Sequence, residues 1–416
     1  MSRLKGRLAD LRRQTGQRPD APAPEARSEP AGPSLAERVQ RAGGARQAPH
    51  EELGPEALAE RIGAAPLADG VLVRDRRLPL TEGYEGMPLV GVDQPPEALP
   101  EAGGLSTERA VFLDTETTGL AGGTGTVAFL VGLARIEGDA LVQRQLLLTR
   151  FGGEPSLLAA VAEWVGEGDH IVTFNGKRFD LPLLTTRCRL SGRPDPLAGR
   201  AHLDLLYPFR RLFGRRFPDC RLATAEQRLL GVTRPDDLPG AEAPQAWFDF
   251  LHAGDAGRLP AVVAHNERDL LALAALMPTL DRIHAEPGAW GADTLAAARG
   301  HLQRGAEERA FALLVAHRDA LDADGLRELA RLHRRREEWA AATAIWEELA
   351  ARGCRDSRER LAKYWEHIAR DPEMALAWAA PLAGTPEGER RLARLRGKGA
   401  KERAERTEAK EGGFSS

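Results

Sequence analysis

The sequence predicts an α/β fold, a mixed sheet flanked by helices, followed by an all-α region of repeated helix pairs. Three observations lead there. Between about 108 and 286, short apolar runs alternate with helix-patterned segments. The first of these runs, Val111–Phe112–Leu113, ends in two carboxylates, Asp114 and Glu116. Beyond about 290 the pattern is helical throughout, and it repeats at a fixed spacing.

A chain of 416 residues has room for about two or three domains of roughly 100–200 residues each. Leu4, Leu8 and Leu11, set among Arg3, Lys5, Arg7, Arg12 and Arg13, give 1–13 the spacing of a short basic amphipathic helix or a frayed terminus. Residues 14–50 are rich in Pro, Ala, Arg and Glu and bury too little apolar surface to offset ordering, so 1–50 reads as a disordered segment. Residues 51–107, with a helical patch (Glu51–Ile62) and a strand-like piece (Gly70–Arg74), read as a lead-in packed on the domain at 108–286.

Within that domain the order is strand 111–115, the Gly-rich turn Ala121–Gly125, and strands 126–134 and 140–148. Helix Pro155–Val165, strand Ile171–Phe174, helix Asp180–Leu190 and strand His202–Leu206 follow. Three consecutive strands, then helix and strand in alternation, predict a mixed sheet with helices on its faces. A long helix, Pro260–Ile283, carries an apolar stripe of Val263, Leu270, Leu271, Leu273 and Leu276. In 290–385, Leu326, Leu329, Trp339 and Ala340 recur as Leu361, Tyr364, Met374 and Ala375, each 35 positions on. Helix pairs of roughly 34 residues with Ala at the crossings carry the tetratricopeptide signature, with Thr294–Gln303 and Ala306–His317 as an earlier pair. Residues 386–416 read as a basic, disordered tail, with nine Lys/Arg against three Glu over Arg390–Lys410.

Composition narrows the function classes. The hydrophobic fraction of 42% supports a sizeable core, and a net charge of −3 leaves nucleic-acid binding to local patches. Cys188, Cys220 and Cys354 are widely spaced, so neither a disulfide framework nor a zinc site is indicated. No signal peptide is evident, and no apolar run approaches the roughly 18 residues of a membrane span. A cytoplasmic protein without membrane contact is the expectation.

Side chains alternate along a strand, so Asp114 and Glu116 share one face while Leu113 and Thr115 take the other. Two adjacent anions repel, and burying either one alone is costly. Phe174–Asn175–Gly176–Lys177–Arg178–Phe179–Asp180 leaves a buried strand through an Asn-Gly turn and delivers Asp180 at a helix start. In His265–Asn266–Glu267–Arg268–Asp269 the first and last residues sit at i and i+4, on one helical face. Thr117–Thr118–Gly119–Leu120 directly after the first strand offers hydroxyls, backbone N–H groups and an apolar side chain to a terminal nucleotide. Four carboxylates from three elements (Asp114, Glu116, Asp180, Asp269) are hard oxygen donors suited to two Mg²⁺ or Mn²⁺ ions. A His beside them can act as general base toward a water.

The order DTETTG, FNGKRFD, HNERD resembles the DEDD 3′–5′ exonuclease superfamily of the RNase H-like fold. The resemblance implies a five-stranded mixed sheet, two divalent ions and hydrolytic release of nucleotides from a 3′ end. It implies that Asp114 bridges both ions, that Glu116 and Asp269 bind the catalytic one and Asp180 the second, and that His265 orients or deprotonates the water. The common His subtype sets its His five residues before the last Asp, whereas His265 has the four-residue spacing of the Tyr subtype. More narrowly the chain resembles the YprB-like RNase H-like proteins, in GGTGT (Gly122–Thr126), in HLDLL (His202–Leu206) and in helical repeats after the nuclease domain.

Some residues admit two readings. Asp204 at a strand end either reaches the metal site or bonds a loop. In Tyr207–Phe217, arginines and aromatics interleave either as a single-strand groove, with Arg210 and Arg211 on phosphates, or as an amphipathic helix with its rings in the core. Arg234 is either a substrate or a salt-bridge residue. Asn175 and Phe179 frame the site beside Asp180. The expected function is a metal-dependent 3′–5′ exonuclease on single-stranded DNA or RNA, with a protein partner on the helical repeats. The alternatives are a non-catalytic nucleic-acid-binding scaffold and a phosphatase built on Asp114, which would want Asp at the position of Glu116.

Overall fold

The computed structural model describes residues 52–398 apart from 82, 85, 88, 90, 120–124, 236 and 385. The N-terminal helix and linker expected over 1–50 lie outside these residues, as do Leu120 and Gly122–Thr124. The elements that frame the site run α1 (Pro55–Ile62), β1 (Ala65–Ala68), β2 (Val71–Pro79), β3 (Ala110–Thr117), β4 (Ala128–Glu137) and β5 (Ala140–Leu148). Then follow α2 (Glu154–Trp164), β6 (His170–Thr173), α3 (Asp180–Leu190), β7 (Ala201–Asp204), α4 (Leu206–Phe213), α5 (Leu222–Ala225), α6 (Ala243–Ala253) and α7 (Leu259–Ala285).

The sheet is mixed, in the order β1-β2-β5-β4-β3-β6-β7, and has seven strands where the resemblance implied five. The two extra strands come from the lead-in. β2 pairs antiparallel with β5 along its whole length, from Val71↔Leu148 to Pro79↔Ala140. Without it, β5 would be an open edge. Arg74, Asp75, Arg76 and Arg77 break the apolar pattern of β2, which is why only its first residues read as strand. β6 lies parallel to β3, and β7 parallel to β6.

Alternation along β3 divides the core. Val111 and Leu113 join an apolar cluster with α2, α3 and α6, whereas Ala110 and Phe112 join one with α4 and α7. Sequence patterning did not single out α6, yet its Trp247 is buried, stacks on Phe129 at 5.2 Å and donates from Nε1 to the Leu148 carbonyl at 2.7 Å.

Three helix pairs follow: α8 (Thr294–Gln303) with α9 (Glu307–Ala316), α10 (Ala323–Arg335) with α11 (Trp339–Ala351), and α12 (Arg355–His367) with α13 (Pro372–Ala379). Leu314, Leu326 and Leu329 belong to the same cluster as Phe112 and Leu270, so the helical region shares a core with the sheet. The tail expected from 386 onward is helical over 386–398, with Leu392 and Leu395 buried against Ala362, Ala375 and Ala379. Two leucines three apart are enough to seat a helix whose other positions are mostly charged or small.

Candidate active site

Strand β6 pairs with β3 only as far as Phe112, while β4 continues alongside to Thr117. Asp114–Thr117 therefore run past the end of β6, and α3 begins in the space this leaves. Asp114 and Glu116 carry on from Phe112 on the face that α7 crosses. Thr115 belongs to the opposite face by alternation, yet its hydroxyl donates to Asp180 Oδ1 at 2.5 Å. It can do so because β3 has no strand on its β6 side there and the first residue of α3 fills the gap.

Helix α7 supplies the other half. His265 Nε2 lies 3.5 Å from Asp269 Oδ2 and 3.9 Å from Glu116 Oε1, so the i, i+4 pair does converge on the β3 carboxylates. His265 Nδ1 bonds Asp237 Oδ2 at 2.7 Å. Asp237 also accepts from Arg234 at 3.2 Å, and Arg234 pairs with Asp269 at 2.7 Å and with buried Glu226. Arg234 is thus a salt-bridge residue that neutralises Asp269. No motif in the sequence ties the loop 231–240 to His265, so only the folded chain identifies Asp237.

A second missed residue is Asn266, fully buried under Asp114. The ladders align Asp114, Gly132, Gln145 and Arg74 as one row across four strands. Gly132 has no side chain, and Asn266 occupies the space: a Cβ there would sit 2.2 Å from Asn266 Oδ1. Asn266 Nδ2 donates to Asp114 Oδ2 at 2.8 Å, and Gln145 Nε2 donates to Asn266 Oδ1 at 2.9 Å. Beyond it, Arg74 bonds Gln145 Oε1 at 2.7 Å and Glu267 at 2.8 Å, and Arg76 holds the other Glu267 oxygen at 2.6 Å. The lead-in strand therefore anchors α7 against the sheet through a hydrogen-bonded relay that is buried at Gln145 and Asn266 and half-buried at its arginines.

The electrostatics of the cluster are those of anions short of a counter-charge. Burial, then repulsion from Asp269, Asp180 and Glu116, holds the Asp114 carboxyl well above the ordinary aspartate range against the Asn266 hydrogen bond. Burial and the Asp269, Asp180 and Asp237 charges push Glu116 up to about 8, and burial takes Asp180 to about 6 despite the Thr115 bond. Asp237 goes the other way: burial would raise it, but His265 and Arg234 bring it to about 2. Burial would lower His265, and the hydrogen bond and charge of Asp237 with the Asp269 charge raise it instead.

Among the described residues, no group of three or more His, Cys, Asp or Glu side chains is gathered tightly enough to hold a metal ion as it stands. The donor set nonetheless fits a hard divalent cation: anionic oxygens from β3, α3 and α7 that repel one another and are relieved by positive charge. A carboxyl raised on folding stabilises the fold below its ordinary pKa, and that contribution is lost as pH rises through the raised value. That loss builds up for Asp180 as pH rises to about 6 and for Glu116 as it rises to about 8, and it persists above. The protein in chelator should therefore melt several degrees lower at about pH 9 than at about pH 5, and Mn²⁺ should narrow the gap. Calorimetry at both pH values checks this, and a flat profile would remove the repulsive cluster.

Other sequence-predicted residues fall in several places. Asn175 is left-handed at φ 68, as Asn tolerates, and its N–H donates to Asp204 at 2.7 Å, with Lys177 N at 3.0 Å. Asp204 is therefore the clasp of the Asn175–Lys177 loop. Phe179 is exposed. The Thr117 hydroxyl donates to the Gly119 carbonyl at 3.1 Å and that of Thr118 accepts from Val127 N at 3.0 Å, so both close the turn. Phe209, Leu212 and Phe213 are core residues, which decides for the amphipathic helix over stacking by those rings. Arg210 is exposed, whereas Arg211 pairs with Glu101.

A model of the RNase_H superfamily matches residues 111–281, the span from β3 through most of α7. Over 288 residues the chain is 33% identical to the uncharacterized protein YprB of Bacillus subtilis (strain 168), covering 66% of this chain and 69% of that one. The chain belongs to the YprB-like RNase_H superfamily. This RNase H-like chain also matches, over 55% of its length, the family B DNA polymerase of the hyperthermophilic archaeon Pyrobaculum calidifontis. That likeness has 15% identity and a TM-score of 0.37 and spans 29% of the polymerase. No helix among the described residues of this RNase H-like chain is long and apolar enough to cross a membrane.

Proposed function

We propose that this chain is a metal-dependent 3′–5′ exonuclease that hydrolyses the terminal phosphodiester bond of single-stranded nucleic acid. One observation supports this above the others: His265 Nε2 faces Asp269 and Glu116 at 3.5 and 3.9 Å while its Nδ1 is held by Asp237. A base gripped on one nitrogen and directed by the other at a carboxylate cluster is suited to taking a proton from water.

Asp114, Glu116, Asp180 and Asp269 would hold two Mg²⁺ or Mn²⁺ ions, which supply Lewis acidity toward phosphate and a water of lowered pKa. His265 takes the proton of the attacking water. Asp237 keeps the imidazole in the tautomer with its proton on Nδ1, leaving Nε2 free to accept. Arg234 gives up Asp269 to incoming cations and keeps Glu226 and Asp237. Thr117, Thr118, Gly119 and Leu120 would receive the terminal nucleotide, Asn175 and Phe179 would flank it from the loop before Asp180, and Arg210 and Arg211 would take phosphates further along the strand. The helix pairs 294–379 are the proposed seat of a protein partner.

A 5′-labelled single strand, incubated with the full chain and Mn²⁺ or Mg²⁺, should shorten stepwise from its 3′ end and stay intact in chelator. Binding without shortening under either ion would leave a scaffold instead. His265→Ala should slow turnover by about 10²–10⁴-fold, and a loss under tenfold would make His265 a packing residue.

A further inference from the structure

Helix α4 starts two residues after Asp204, the clasp of the site loop, and packs against α8. Between α4 and α8 lies a cavity of about 240 Å³ lined by Arg210, Arg211, Arg215, Arg216 and Arg299, with Asp293 as its one carboxylate. Asp293 Oδ1 is committed to capping α8, accepting from Ala296 N at 2.9 Å. Arg211 is paired with Glu101. The side chains of Arg210, Arg215, Arg216 and Arg299 make no ion pair or hydrogen bond with another described residue.

Elsewhere in the helical region many arginines are paired. There Arg318, Arg335, Arg336, Arg352 and Arg360 each face a carboxylate at 2.6–2.7 Å, and the arginines without an ion pair to a described residue, such as Arg304, Arg334 and Arg370, do not line this cavity. Asp293 and Glu101 offset two of the five guanidinium charges, so an excess of three positive charges stays around one concavity. A polyanion offsets that excess, and planar guanidinium forks match phosphate oxygens.

The surface between the carboxylates and this cavity is also furnished. Lys177, on the loop held by Asp204, has its Nζ over the ring of Tyr207 at 5.6 Å. Tyr207 is 44% exposed, and Arg210 is exposed on the same helical face three residues on. Cation, exposed ring, cation is the composition of a single-strand track. Helix α4, with eight residues, is roughly 12 Å long, a span of a few nucleotides.

Resting on the exonuclease reading, we propose that this arginine cavity is a phosphate subsite that holds the strand upstream of its 3′ end. It reads the phosphodiester backbone, which DNA and RNA share. The chain then grips long strands by the cavity and short ones by the catalytic centre alone.

Fluorescence anisotropy of the full chain in chelator, with single strands of about 4 and about 16 nucleotides as DNA and as RNA, tests this. In a combined Arg215→Gln, Arg216→Gln, Arg299→Gln variant, affinity for the long strand should fall at least about tenfold, and the slope of log affinity against log salt should flatten by about 2. Affinity for the short strand should hold, and the corresponding Lys variant should recover most of the loss. Equal effects in the DNA and RNA arms support backbone recognition, whereas loss with one sugar alone overturns it. Unchanged long-strand affinity in a Gln variant that melts like the wild type also overturns the subsite. Should the wild type bind long strands through these arginines yet never shorten them, the exonuclease reading fails and the subsite stands. If strands are shortened but the Gln variant matches the wild type in KM at every length, the subsite fails and the exonuclease stands.

Discussion

Asp114→Asn should abolish strand shortening and, in chelator at about pH 8, raise the melting temperature. Asp114 is the most penalised anion in the cluster: it is desolvated and faces Asp269, Asp180 and Glu116. An amide of the same shape removes the charge but keeps an oxygen to accept from Asn266, now 2.8 Å away. The raised carboxyl costs stability as pH rises through its folded pKa, so the neutral variant escapes that loss. Catalysis moves the opposite way, because the site loses a cation ligand, and groups acting as a unit lose about 10⁴-fold or more on single removal. Opposite signs in the two readouts mark a functional site that trades stability for activity. Lost activity together with a lowered melting temperature would instead make Asp114 a structural residue.

Gly132→Ala should be nearly as damaging although Gly132 has no chemistry. Its added Cβ would stand 2.2 Å from Asn266 Oδ1 and 2.9 Å from Cγ, deep inside van der Waals contact. Asn266 is fully buried and held from two sides, so it cannot yield without breaking its bond to Gln145 or to Asp114. Overpacking costs about 1–3 kcal/mol, and a buried polar group left unpaired costs about as much again. Melting temperature and turnover should both drop, the latter by more than about tenfold as Asp114 shifts. In the double variant with Asn266→Gly, thermal stability should recover toward that of Asn266→Gly alone, while turnover should not. Additive losses would show that the two positions do not share the contact.

How much of this was legible in the sequence varies by element. The β3 strand with its carboxylates, the Asp180 helix start and the i, i+4 pair on α7 could all be read, because each lies within one element whose period orders its side chains. β5 and α3 were read to the residue. β2 was read only in its first residues, since Arg74 and Arg76 serve the relay to Glu267, Arg77 faces solvent, and the charged run disguises a paired strand. The helix at 386–398 was hidden by charge. Asp237 lies 28 residues before His265, in a loop without periodicity.

The sequence by itself determined the class of fold, the chemical types gathered at the site and the elements that carry them. Those follow from local periodicity and from the few residue types able to do such chemistry. Only the tertiary structure decided that Gly132 makes room for Asn266, that Asp237 holds His265, that Arg234 sits on Asp269, and that arginines from α4 and α8 line one cavity. Each of these depends on which distant strands and helices become neighbours. A pattern of period 2 or 3.6 sets the face on which a side chain lies, but not what lies across from it.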